Sequence, residues 1–379
     1  MKENFHKILL NFYDLGRLVY IEKNHRGYWN ETYKIETIKD NKRGHYILRC
    51  YRKGTHEERI KFEYALMHEL TKQGFDISPH VVPTKNHVDY AKVTEKTENL
   101  TEDRYITICS CLPGEDKYSW VNPLCTDTEL RDAAKVLAFY HSAICEWSGI
   151  DGWINQRYID KIYLMPGQWR YFAKNAGKSS FDQYFFDQFE YLYRMLGKIQ
   201  FKNRYNEMPH LVIHGDYHPG NIKFQDGKVS GIFDFDWSNV DLRCFDVAIA
   251  LLYFCSVWNG IDAENLLLDR IESFLGAYQK ATKKMSGIGP LNMMELEHLP
   301  EMIHLSNLSL IDWVLGRYYT NDHDPDEYKD YLLHSVQVGQ WMERSWDQLY
   351  KCILGQEFNL TSFKNSPLQP NKSNIDQVL

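Results

Sequence analysis

The sequence predicts an α+β chain in two lobes, a small antiparallel sheet first and a larger, mostly helical part after it. Three observations predict it. Short runs rich in β-branched and aromatic residues fill the chain up to Cys109, LPGED at Leu112–Asp116 carries a Pro-Gly turn signal, and helical apolar periodicity dominates from Thr128 onward.

In the first lobe the runs Leu18–Glu22, Thr32–Ile38, Tyr46–Tyr51, Val88–Thr94 and Tyr105–Cys109 read as five strands separated by charged turns. Between the third and fourth, His56–Gln73 holds no Pro or Gly. Its Ile60, Tyr64, Met67 and Leu70 recur at helical spacing until Gly74 stops them, so this is one amphipathic helix. In the second lobe, helices are expected over Thr128–Cys145, Ser180–Lys198, Asp246–Val257, Ala263–Lys283, Met302–Tyr319 and Tyr328–Leu354. Three strands remain, Leu211–Ile213, Ile222–Phe224 and Val229–Phe233, the last two joined by QDGK as a hairpin. The expected organisation is therefore a lobe over 1–111, a lobe over 112–359 and a polar tail over 360–379 that is expected to be disordered.

The 379 residues, 44% of them hydrophobic, suffice for well-formed cores. No run of about 18 apolar residues occurs, and the amino terminus, charged within three residues, lacks a signal-peptide pattern. A cytoplasmic protein with no membrane partner is expected. The eight cysteines form no CxxC pair and keep no His cluster at zinc-ligand spacing, which leaves free thiols. Residues 1–111 carry 19 Lys and Arg against 16 Asp and Glu, whereas 112–359 carry 23 against 34. An acidic second lobe argues against a nucleic-acid partner.

The stretch that carries chemistry is Leu211–Ala248, LVIHGDYHPGNIKFQDGKVSGIFDFDWSNVDLRCFDVA. His214, Asp216 and Asn221 follow a short apolar strand at the H-x-D-x-x-x-x-N spacing of a kinase catalytic loop, and Asp234 comes thirteen residues after Asn221. Phosphoryl transfer rests on positioning and charge neutralisation, and magnesium takes hard oxygen ligands. Asn221 and Asp234 fit the metal, and Asp216 fits the base that orients the attacking hydroxyl and accepts its proton. The bland alternative is a polar turn and a strand end whose acids face solvent; it leaves an Asn at one fixed offset unexplained.

HGDYHPGN followed by IFDFDW and FDVA resembles the superfamily of aminoglycoside phosphotransferases, choline kinases and type II homoserine kinases, over roughly Leu15–Tyr350. The resemblance implies the two-lobed protein-kinase-like fold, ATP and Mg2+ as cofactors, and a small hydroxyl-bearing molecule as acceptor. By it, Asp216 is the base, His214 a structural member of the catalytic loop, Asn221 and Asp234 the magnesium ligands, and Asp246 the acid that buttresses the loop. Arg49, in YILRCYR, stands where a strand lysine that touches phosphate is expected. It either grips phosphate with Glu63 of the following helix as its partner, or both are solvent-facing residues. The turn KNHRGYWNET has one glycine, Gly27, and no GxGxxG, though backbone amides of residues 28–32 can still cap phosphate. Only eleven residues separate Asp234 from Asp246 and no APE follows, so a protein-kinase activation segment has no room.

Three function classes follow: a small-molecule kinase, a catalytically silent kinase-like protein of the spore-coat kind, and a Ser/Thr kinase of the same superfamily. The intact acids and amide favour the first. The acidic second lobe favours an amine-bearing acceptor, with Asp236, Asp241 and Asp312 as candidate ammonium partners and Trp237 and Trp313 as cation–π faces. Trp153 and Trp169 are further candidate pocket aromatics. His141 reads as a satisfied core histidine, and His218 as a loop-ordering residue.

Overall fold

The computed structural model describes residues 2–24, 30–96, 101–149, 157–199, 201–258, 263, 265–320 and 324–355. Gly27 with its neighbours in the turn, Trp153 and the tail over 360–379 lie outside the described residues. The chain forms two compact units. The first comprises Met1–Gly114, Gly149–Trp153 and Ser230–Asp236, and the second Glu115–Ser148, Ile154–Val229 and Trp237–Leu379.

The first unit opens with a helix, α1 (Lys2–Phe12), that the strand-and-turn reading does not contain. Its Phe5 and Leu9, with Tyr13 just after it, close the apolar core on one face of the sheet, so tertiary burial decides its conformation. The sheet holds five antiparallel strands, β1 (Arg17–Asn24), β2 (Glu31–Lys39), β3 (Lys42–Cys50), β4 (Ala91–Lys96) and β5 (Thr101–Ser110), in the order β1-β2-β3-β5-β4. β4 begins later than its apolar residues suggest. The Thr84 N–H donates to the Val88 carbonyl at 2.8 Å and His87 adopts a φ of 59°, so Val88 belongs to a turn. The helix α2 (Glu57–Lys72) joins β3 to β4. On β3, Leu48 and Cys50 enter the core with α1, and strand alternation sends Arg49 to the opposite face.

The second unit contains α3 (Asp127–Ile144), α4 (Tyr158–Lys174), α5 (Ser180–Leu196), β6 (His210–Ile213), the hairpin strands β7 (Ile222–Gln225) and β8 (Lys228–Ile232), and β9 (Asn239–Leu242). From Ser230 onward β8 belongs to the first unit. The helices α6 (Arg243–Cys255), α7 (Leu268–Thr282), α8 (Met293–Thr320), α9 (Pro325–Arg344) and α10 (Trp346–Leu354) complete the unit. The sequence reading has no helix where α4 lies, and it starts the helix of α8 at Met302 where the structure starts it at Met293. α4 contains Pro166 and α8 contains Pro300, and both continue through the proline because apolar side chains on either side of it are buried. The single helix expected over Tyr328–Leu354 is two, broken at Ser345, where φ is −111° and ψ 16°. α6 is buried almost all round, as its near-continuous apolar sequence requires. Among the described residues, no helix is long and apolar enough to cross a membrane.

Candidate active site

In the second unit, β6 ends at Ile213 and the chain turns through Gly215 at φ 77°. A Cβ there would lie 2.3 Å from the Trp237 carbonyl oxygen, so the turn requires glycine. The turn is held from beneath by Asp246, in the first turn of α6. Its carboxylate accepts the backbone N–H of His214 at 2.8 Å and of Gly215 at 3.0 Å, and lies 3.0 Å from Nε2 of His141. Asp246 and His141 are both fully buried. His141 is bonded on both nitrogens, the second being 2.8 Å from the Tyr278 hydroxyl. Burial lowers the His141 pKa and Asp246 only partly offsets this, so the ring is neutral at pH 7.

Beyond the turn stand Asp216 and Asn221. Nδ2 of Asn221 donates to both the backbone carbonyl and the Oδ2 of Asp216, each at 3.0 Å. The amide nitrogen is thereby engaged, and the group Asn221 presents to anything else is its carbonyl oxygen. His218 orders the same loop: its Nδ1 accepts the Gly220 N–H at 2.9 Å, which leaves the proton on Nε2, 3.5 Å from Asp216 Oδ2. Burial pushes the Asp216 pKa up, but His218, His214 and the Asn221 amide outweigh it, and the net shift is downward. Asp216 is a carboxylate at neutral pH.

In the first unit, Arg49 is neither solvent-facing nor alone. Nη1 donates to Glu63 at 2.7 Å, and Nη2 donates to Asp234 at 3.0 Å and to Asp236 at 2.6 Å. Glu63 is 3% exposed and also accepts the Tyr51 hydroxyl at 2.6 Å, which removes the reading of an exposed helical carboxylate. Asp236 accepts Nδ2 of Asn30 at 2.8 Å, and its backbone carbonyl accepts Nη2 of Arg59. Asp234 holds a φ of 68°, a left-handed conformation that costs a non-glycine residue of order 1–3 kcal/mol and concentrates at functional sites.

Three acids stand against two guanidiniums, Arg49 and the Arg59 held on the Asp236 carbonyl, so the acids outnumber the cations by one. Burial, with Glu63 and Asp234 alongside, drives the Asp236 pKa well above the carboxylate range, whereas Arg49 stays charged. Oδ1 of Asp236 is buried with no hydrogen-bond partner. An electrostatic deficit of this sign fits a divalent cation, and hard oxygens are the donors magnesium takes. Among the described residues, no group of three or more His, Cys, Asp or Glu side chains is arranged so as to hold a metal ion by itself. Magnesium bound through one or two protein oxygens and substrate phosphates needs no such cage.

The model of the phosphotransferase enzyme family (APH) matches residues 21–283, more than half of the chain and both clusters. The chain belongs to that family. It is a kinase. Similar curated proteins include the homoserine kinase of Methylobacillus flagellatus, 28% identical over 348 residues that cover 89% of this chain and 94% of that protein. The homoserine kinase of Phenylobacterium zucineum is 26% identical, with 79% and 80% covered. Among solved structures, a microcompartment-associated aminopropanol kinase superposes with a TM-score of 0.63 at 16% identity, covering 92% of this chain and 98% of that one. At that identity the likeness establishes the fold, two-lobed with an antiparallel sheet and a helical part, as the sequence predicts.

Several residues that sequence reasoning set aside for the acceptor are engaged elsewhere in this phosphotransferase. Asp236 is bound to Arg49 and Asn30. Asp241 is 1% exposed and accepts the N–H of Tyr158 and of Leu242 and the hydroxyl of Tyr205, each at 2.8 Å. Neither is placed to meet an ammonium group. Asp312 accepts Nε1 of Trp169 at 2.8 Å, and Lys161 Nζ already sits 4.9 Å from the centre of the Trp237 ring. Sequence reasoning missed Asp236 as a partner of Arg49, and missed Tyr51 altogether. The available signal was the spacing of two, which puts the acids of DFD close enough in the chain to share one cation.

Proposed function

We propose that the chain transfers the γ-phosphoryl group of ATP, with magnesium, to the hydroxyl of a small amine-bearing molecule of the homoserine or amino-alcohol kind. A nucleotide-binding lobe over 1–111 and an acceptor lobe over 112–359 are part of this reading. The observation that carries it is the Asp216–Asn221 pair, a carboxylate held ionised beside an amide whose nitrogen is engaged and whose carbonyl oxygen is presented. In the reaction the acceptor oxygen attacks the γ-phosphorus, the bond to the β,γ-bridging oxygen breaks, and ADP leaves. Asp216 orients the hydroxyl and takes its proton. Asn221 and Asp234 would hold the magnesium, which when bound neutralises charge on the phosphates. Glu63, Asp234 and Asp236 fix the guanidinium of Arg49, whose fork suits phosphate oxygens in place of a lysine. His214 keeps the turn in register through the N–H it gives to Asp246.

The names of the relatives support the acceptor class, since similar proteins are homoserine kinases and a structural neighbour is an aminopropanol kinase. The deciding experiment measures ADP release with ATP and magnesium against homoserine, amino alcohols, methylthioribose, aminoglycosides, neutral sugars and sugar phosphates. Amine-bearing alcohols should lead, homoserine first, and their advantage should shrink as salt rises. A preference for a sugar phosphate sinks the acceptor class, and an absence of turnover with every acceptor sinks the kinase assignment to this panel.

A further inference from the structure

The helix α6 is buried along its whole length except at one residue, Tyr253, which is half-buried. An apolar core helix has no packing reason to leave one aromatic side chain open, so the exception marks what that face of the helix looks onto. Asp246 and Tyr253 stand seven residues apart, about two helical turns, and share one stripe. That stripe follows the catalytic loop. Asp246 carries the turn at His214 and Gly215, and the Tyr253 ring packs on the ring of His218 with centres 5.1 Å apart. Its chain neighbour Phe254 packs on Tyr217, with 5.9 Å between ring centres.

His218 in turn lies 3.5 Å from Oδ2 of Asp216. The Tyr253 ring therefore stands within a small molecule's length of the carboxylate proposed to receive the acceptor hydroxyl. Burial and the Asp216 charge raise the Tyr253 pKa, so the phenol keeps its proton. Its hydroxyl makes no hydrogen bond among the described residues, and it is not one of the buried polar atoms left unpaired. A phenol in this place has a defined chemistry. Its oxygen can accept from a cationic donor, its ring offers an apolar face to a short carbon chain, and the nearby Asp216 charge favours a cation over an anion. An ammonium group on a short carbon chain meets all three conditions, whereas a carboxylate is repelled. Asp236 and Asp241, acids that the sequence offers for an amine, are engaged elsewhere.

We infer that Tyr253 is a binding residue for the acceptor, its phenol oxygen holding the amine of an amino alcohol while the alcohol hydroxyl meets Asp216. The inference rests on the proposed small-molecule kinase reading. The competing role for Tyr253 is that of a brace, packing on His218 to order the loop, which needs the ring and not the hydroxyl. The two roles part at Tyr253→Phe, which keeps the ring and removes the oxygen.

The test measures ADP release by full-length wild type, Tyr253→Phe and Tyr253→Leu with L-homoserine, with 3-aminopropan-1-ol and with propan-1-ol, which lacks the amine. Tyr253→Phe should raise the KM for the two amine-bearing alcohols about tenfold or more, the size expected for losing a hydrogen bond to a charged group. Its KM for ATP, its kcat/KM for propan-1-ol and its melting temperature should stay close to wild type. Tyr253→Leu, which also removes the ring from His218, should lose turnover in addition. If Tyr253→Phe matches wild type within twofold on every acceptor while Tyr253→Leu is impaired, the residue is a brace and the inference is overturned. An equal loss with propan-1-ol, or with ATP, overturns it as well, because the hydroxyl then does not read the amine. Wild type that turns over none of the three overturns the proposed function and this inference with it, an outcome distinct from active wild type with an indifferent Tyr253→Phe.

Discussion

Asp246 in the second unit and Asp236 in the first are both buried carboxylates, held by opposite means. Asp246 rests on neutral donors, two backbone N–H groups and the ring of a neutral histidine. Asp236 rests on a guanidinium that it shares with two other acids. Neutral dipoles stabilise a buried charge without needing a counter-ion, so the catalytic loop is set before any ligand arrives. In the Arg49 cluster the acids outnumber Arg49 and Arg59, and Oδ1 of Asp236 has no hydrogen-bond partner, an arrangement suited to a further cation. One region is built to stay as it is, and the other to respond to what binds.

The sharpest break of this comparison is Asp216→Asn, expected to lower turnover roughly a thousandfold while leaving magnesium-nucleotide affinity nearly intact. Asp234→Asn should instead weaken that affinity. Equal binding losses in the two, by calorimetric titration, would refute the division of labour. Next comes Asp246→Asn. It turns an NH2 group toward N–H donors, and should cost about 2 kcal/mol in denaturant unfolding together with roughly a hundredfold in turnover. A variant that unfolds like wild type would show that the neutral donors do not set the loop.

In the responsive region the effects are smaller. Arg49→Ala is expected to lose about tenfold in kcat/KM for ATP, roughly 1.4 kcal/mol, and Arg49→Lys to keep measurable activity. Asp236→Asn, which keeps the Asn30 bond possible but removes one charge, should change kcat/KM by roughly three- to fivefold. If Asp236→Asn proves more damaging than Arg49→Ala, the acid has a role of its own and is not a holder of Arg49.

The smallest effect is a pH effect on stability, away from both clusters. Burial pushes the Glu129 carboxyl up, but Tyr118, Thr126 and Lys117 outweigh it and hold it at about 2, below its ordinary 4.5. A depressed folded pKa means the stabilisation is fully present above about pH 4.5 and is lost as pH falls toward 2. Glu129→Gln should therefore lower the melting temperature at pH 7, with a gap to wild type that narrows at pH 3 and turnover unchanged at pH 7. A gap that is constant with pH would assign the loss to the capping hydrogen bonds alone.

The architecture was legible where local chemistry agrees with tertiary packing. The five strands, α2 and α3 follow periodicity that burial reinforces, and Thr126 with Glu129 closes α3 as a capping box that the periodicity does not show. It was not legible where packing overrides a local signal: α1 is held by contacts of Phe5 and Leu9 with the sheet, and α4 and α8 run through prolines. The Arg49–Glu63 contact could be anticipated from the offset of strand and helix. The third and fourth members, Asp234 and Asp236, lie more than 180 residues away in the chain, and no local pattern reveals which cation they meet. Asp241 misled because an acid in an acidic lobe reads as an accessible ammonium partner, whereas three donors make its burial tolerable.

The discontinuity of the first unit has a consequence for its birth on the ribosome. Gly114 leaves the exit tunnel about 115 residues ahead of Ser230, an interval of roughly 6 to 23 s at ordinary translation rates. Throughout it Arg49 and Glu63 are present without Asp234 and Asp236, and the Ile77 carbonyl lacks the Ile232 N–H that it later accepts at 2.8 Å. The nascent sheet and α2 must therefore wait, incomplete, for a strand that arrives from the far side of the catalytic loop. Synonymous codon changes that slow synthesis between Gly114 and Ser230 lengthen the exposure of that intermediate to proteases, and an isolated 1–114 fragment reproduces it permanently.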